Sequence, residues 1–129
     1  MALARTLFAF SLLLLPFGAA LAQHAHDHKP RHGGLIKETG GFVYELKVAP
    51  KEITVWVTDE SNKPVPTTGS TAKVTLMPDA ALRAEVPLEP AGDNRFRATG
   101  EFAIKPGSSA LLDVSVGGKS VAKLRYVLK

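Results

Sequence analysis

The chain has 129 residues, no cysteine, and 16 basic against 12 acidic residues, for a net charge of +4 with histidine neutral. The missing thiols rule out disulfides and thiolate metal sites and leave imidazole, carboxylate, thioether and amine as ligands. The basic excess is mild and scattered from Lys29 to Arg125, whereas a nucleic-acid binder concentrates its charge in a patch with exposed aromatics.

Residues 1–22 read MALARTLFAFSLLLLPFGAALA. One basic residue, Arg5, precedes an apolar run, and Ala20-Leu21-Ala22 supplies small residues where a signal peptidase needs them. The run from Leu7 to Ala22 is 16 residues, short of the roughly 20 that span a bilayer, and no basic cluster follows it. The expectation is a secretory signal peptide cleaved after Ala22, which places the protein in the periplasm or outside the cell. Cleavage leaves 107 residues, one small domain of net charge +3.

The next segment, HAHDHKPRHGG from His24 to Gly34, holds all four histidines of the chain within nine residues. Apart from Pro30, no apolar side chain larger than alanine occurs between Gln23 and His32, and Gly33-Gly34 marks the one compositional break. Residues 23–33 therefore read as a flexible arm and 34–129 as the folded domain. Deleting Gln23 to Arg31 is expected to change stability by less than about 1 kcal/mol, as for surface changes outside the core.

The rest reads as strands. In Phe42–Val48, Phe42, Tyr44, Leu46 and Val48 alternate with Val43, Glu45 and Lys47, and in Glu52–Thr58, Ile53, Val55 and Val57 point inward. Asp59–Pro64 is a turn and Val65–Thr71 a polar connection. Ala72–Leu76 alternates, as do Leu82, Ala84 and Val86, with Pro87 and Pro90 bounding a turn. Arg95–Ala98 and Glu101–Ile104 read as short strands, and Ala110–Val116 meets Ser120–Leu128 across Gly117-Gly118-Lys119. No persuasive helical period occurs. Seven or eight short strands predict an all-β fold, an immunoglobulin-like antiparallel β-sandwich, with a small barrel as the alternative.

Catalytic patterns are missing. There is no G-x-S-x-G, no H-E-x-x-H and no phosphate-binding glycine loop. Glu45 sits on an outer face with no acid partner, and no histidine in the folded region stands ready as a base for a serine. A non-enzymatic protein is expected. Trp56 lies on the polar face of its strand, either contacting a ligand or covered by a loop or the amino-terminal segment.

The histidines carry the chemical signal. His24, His26 and His28 are spaced i, i+2, i+4, so an extended chain would set them on one side about 6–7 Å apart. Asp27 adds a carboxylate, and His32 follows Pro30 as an auxiliary donor. Imidazole binds copper, zinc and nickel, and free imidazoles stop being ligands as pH falls through about 6.5. The predicted metal ligands are His24, His26, His28, His32 and Asp27, for copper(II) or zinc. With a single methionine, Met77, beyond the leader, the cupric form is favoured over the cuprous.

His32-Gly33-Gly34-Leu35-Ile36, the strand Gly41–Val48 with its Tyr44-Glu45-Leu46, and the run Ile53–Val65 with its Asp59-x-x-x-Lys63-Pro64 turn resemble small exported proteins related to amino-terminal extensions of heavy-metal efflux adaptor proteins. Pro90–Phe96 adds to the likeness, which spans most of the chain after the leader. It implies periplasmic handling of copper, zinc or another cation, with an efflux adaptor or another metal carrier as partner. Where such proteins often carry a histidine near positions 42–45, this chain has Phe42 and Tyr44, which leaves His32 without an imidazole partner and implies a flexible site. A broader architectural likeness is to immunoglobulin-like periplasmic copper carriers. The competing expectation is an interaction or assembly module whose edge strand pairs with a partner and whose histidines are incidental.

Overall fold

The computed structural model describes residues 28–129; the leader, His24, His26 and Asp27 lie outside the described residues. Eight strands follow one another: β1 (Leu35–Thr39), β2 (Phe42–Val48), β3 (Glu52–Asp59), β4 (Thr71–Met77), β5 (Ala84–Pro90), β6 (Arg95–Thr99), β7 (Ser109–Ser115) and β8 (Ala122–Val127). Among the described residues there is no helix. Every pairing is antiparallel, in the order β1-β2-β3-β6-β5-β4-β7-β8. The all-β antiparallel architecture is the one expected, but the two halves are continuous. β5 pairs with β4 through residues 84–88 and with β6 at Glu89 and Pro90, so it belongs to both.

The alternating residues meet in one core. Leu46, Val55 and Phe96 form a row across β2, β3 and β6, and Val74, Leu112 and Leu124 form one across β4, β7 and β8. All six are buried. Burying such side chains stabilises by about 1.5–3 kcal/mol each, which is what a domain without disulfides depends on. The Tyr126 hydroxyl on β8 donates to the Tyr44 carbonyl on β2 at 2.9 Å, joining the two halves through the core. Burial pushes the Tyr126 phenol far above the ordinary tyrosine range, with Tyr44 adding to the effect, so it stays a donor.

Three elements differ from expectation. Leu35–Thr39 forms β1, a strand the alternation did not reveal, closed onto β2 by Gly40-Gly41 at φ +60° and +83°. Pro87 and Pro90 lie inside β5 instead of bounding it. Each sits where β5 has only one paired neighbour, so a missing N–H costs little. Leu82 lies outside the strand and is exposed. Glu101–Ile104 is not a strand: Gly100 and Phe102 donate their N–H groups to the Lys51 and Pro50 carbonyls, and Phe102 and Ile104 pack on the core without a ladder.

Candidate functional site

The outer face of β1-β2-β3 presents a row of Ile36, Glu45 and Trp56, set side by side by the strand registers. Beside it, Val43 pairs with Thr58. Period-2 alternation sends these residues away from the core, yet Val43 and Glu45 are buried, at 3% and 5% exposure. Their cover is the segment from His28 to Gly34, which lies across the face as a strap.

Glu45 is the clasp. Its Oε1 accepts the Arg31 N–H at 2.9 Å, and its Oε2 accepts the His32 and Gly34 N–H groups at 2.8 and 2.9 Å. Burial pushes the Glu45 pKa up, but the three backbone donors and the His32 ring more than offset this, and the carboxyl titrates below its ordinary value. A carboxylate that accepts several N–H groups is stabilised in its charged form.

The two glycines let the strap lie this close. Gly33 has φ +74°, a left-handed conformation that favours glycine. A Cβ on Gly34 would sit 2.6 Å from the Leu46 carbonyl oxygen and 2.9 Å from the Glu45 Cγ. The expectation that Gly33-Gly34 divides a free arm from the domain is corrected for residues 28–33: the pair is where the chain fastens to β2.

His32 lies flat on Trp56, with ring centroids 4.0 Å apart and planes inclined by 2°. Its Nδ1 is 3.1 Å from Glu45 Oε1. An ionised carboxylate only accepts, so Nδ1 carries the proton of the neutral ring and the lone pair is left on Nε2. Nε2 has no hydrogen bond among the described residues, and the side chain is 41% exposed. Of the two readings of Trp56, the structure shows cover by the amino-terminal segment.

His28 is held differently. Its Nδ1 meets Asn62 Oδ1 at 2.9 Å, and its Nε2 lies 3.4 Å from Glu38 Oε1. Asn62 has φ +62° in the turn after β3, where Asp59 Oδ1 accepts the Ser61 and Lys63 N–H groups. Asparagine tolerates that conformation better than other side chains, and the turn aims its amide at the strap. Both ring nitrogens of His28 thus face oxygen atoms.

The chain matches no protein-family model, no curated protein and no solved structure. What the groove can do follows from its own chemistry. The space enclosed by His28, His32, Glu45, Trp56 and Asn62 is about 20 Å³, room for one water or one bare ion and too small for an organic molecule. Of the expected ligands, His28 and His32 come together here. Among the described residues no group of three histidine, aspartate or glutamate side chains is arranged to hold a metal ion. A larger depression of about 630 Å³ lies between the β1–β2 and β7–β8 turns and is lined by Phe42, Tyr44, Lys119 and Val121. Its lining contains neither histidine nor carboxylate.

Glu45 and Asn62 are the residues of this groove that sequence reasoning undervalued. The signal for Glu45 was a lone carboxylate on a strand's outer face, 11 residues beyond the second glycine of an H-G-G.

Proposed function

We propose that this is an exported, non-catalytic protein that binds a divalent metal ion, copper(II) or zinc, through its histidine-rich segment and passes it to an efflux adaptor or another periplasmic carrier. One observation carries the reading: the histidine tract ends on a half-exposed imidazole, His32, whose Nδ1 faces a buried carboxylate while Nε2 has no protein partner among the described residues. Histidines that ligate metals are oriented in this way by a carboxylate behind the ring. Two further imidazoles and a carboxylate, His24, His26 and Asp27, lie within eight residues upstream of His32 and supply the remaining donors. Nitrogen and oxygen donors rank copper(II) above zinc.

Calorimetric titration with copper(II) and with zinc tests this reading, comparing the wild type with a variant in which all four histidines are alanine. Binding near one equivalent, stronger for copper and lost in the variant, is the expected result. Equal affinity in both proteins would end the assignment to the histidines, and no binding in either would leave an interaction module. Intact-mass measurement of the exported protein tests the leader: a species beginning at Gln23 is expected, and one retaining residues 1–22 would remove the cleavage claim.

A further inference from the structure

The strap gives its two histidines unequal parts, and the consequence deepens the metal reading, on which it rests. His28 has a side chain only 3% exposed, with Asn62 at one ring nitrogen and Glu38 at the other. To ligate a metal through Nε2 it would have to displace Glu38 and open to solvent, since that nitrogen is buried beneath the strap. His32 needs no such rearrangement. Its ring plane is set by Trp56, its Nδ1 is taken by Glu45, and its Nε2 is left as a donor at the rim of the groove.

We propose that His32 Nε2 is the anchoring ligand of a divalent-cation centre at the rim of this groove, that Glu45 is its positioning residue, and that His28 is a peg holding the strap. The ranking expected from spacing, with His24, His26 and His28 as the main donors and His32 as an auxiliary, is thereby reversed for the two histidines the structure describes. The glycine pair and Glu45 hold the imidazole at a fixed place on a rigid sheet. An oriented donor loses less freedom on binding than one on a free chain. No group of three protein donors stands among the described residues, so His32 Nε2 is the one ligand assigned here. The metal would also sit next to Trp56, the only tryptophan in the chain.

The test uses the protein as processed by the host cell. Copper(II) is added while heat and Trp56 fluorescence are followed, and histidine ring nitrogens are read by NMR before and after adding zinc. In the metal-free protein His32 is expected as the Nδ1–H tautomer. One equivalent of copper should quench Trp56, and zinc should shift His32 Nε2. His32→Gln should abolish the quenching and remove one nitrogen from the cupric electron-spin-resonance pattern. His28→Gln should keep the quenching and the nitrogen count, with affinity lowered only as far as the strap loosens. Glu45→Gln should weaken affinity by roughly 10–100-fold and move His32 towards the other tautomer.

Copper binding with an unquenched Trp56 and unmoved His32 nitrogens would overturn the assignment while leaving the metal reading intact. Loss of a nitrogen in His28→Gln but not in His32→Gln would overturn it equally, whatever Glu45→Gln does to the fold. No heat with either metal would end both.

Discussion

The imidazole of His32 lies parallel to the indole of Trp56 at 4.0 Å, so the strap covers the chain's only tryptophan. His32→Ala should therefore move Trp56 emission to the red as water reaches the ring. The lost stack and the lost hydrogen bond to Glu45 together should cost about 1–2 kcal/mol. Emission spectra and urea unfolding of the metal-free protein check both.

Glu45 takes more hydrogen bonds from the strap than any other described side chain, so its loss should cost most. Glu45→Ala leaves three N–H groups without their acceptor and should destabilise by about 2–4 kcal/mol, short of the sum of the bonds because a released strap rehydrates. For the same reason, deleting Gln23 to Arg31 should cost about 1–3 kcal/mol, since it removes the Arg31 donor and the His28 contacts. The expectation of less than about 1 kcal/mol assumed an undocked arm. Denaturant unfolding of both variants decides.

The direction of the Glu45 shift gives a pH dependence. A carboxyl whose folded pKa lies below its unfolded value stabilises the fold fully above the unfolded value, about 4.3 for glutamate, and the contribution fades as pH falls through the folded value. With a chelator present, wild-type stability should drop on acidification below about pH 4.5, and the drop should be smaller in Glu45→Gln. Parallel curves for the two proteins would refute the clasp.

Gly34→Ala places a methyl group against the Leu46 carbonyl oxygen. The strap must lift, at a cost of about 1–3 kcal/mol, and the amides of residues 31–34 should exchange faster with solvent while those of β4 and β7 do not. Hydrogen exchange read residue by residue distinguishes this local opening from global loss.

Tyr126→Phe removes the hydroxyl that reaches Tyr44 across the core. A loss of about 1–2 kcal/mol is expected, with strand content unchanged by circular dichroism. A neutral result would show that the Tyr44 carbonyl is satisfied without it.

The sequence revealed the core face of each long strand, because Tyr44, Leu46, Val55 and Val57 alternate with side chains of different polarity. It did not reveal that β2 is buried on both faces from Val43 to Leu46. Glu45 and Lys47 looked like a solvated side; Lys47 is exposed as expected, but Glu45 is covered by residues 28–34, which contain no large aliphatic residue and are held by hydrogen bonds and one ring stack. Hydropathy cannot register such a contact. β1 left a signal that went unread: Gly40-Gly41 between two β-compatible runs is a two-residue hairpin pattern. Of the groove, His28 and His32 were visible in the histidine tract, but the partners of their ring nitrogens were not, since only the fold decides which of those nitrogens face oxygen atoms.

The hydrogen bonds from the strap to Glu45 close loops of only 11 to 14 residues, whereas Tyr126 and Tyr44 are 82 apart. Short loops close faster and at lower entropic cost than long ones. The outer side of β2 is thus sealed early, by parts of the chain made close together in time. Its inner side waits for β7 and β8, made last among the described strands. A partly made or partly unfolded chain is therefore protected on its polar side and vulnerable on its apolar one, so a chaperone that guards this protein should grip the Leu46 side of the sheet and have no hold on the side where His32 lies.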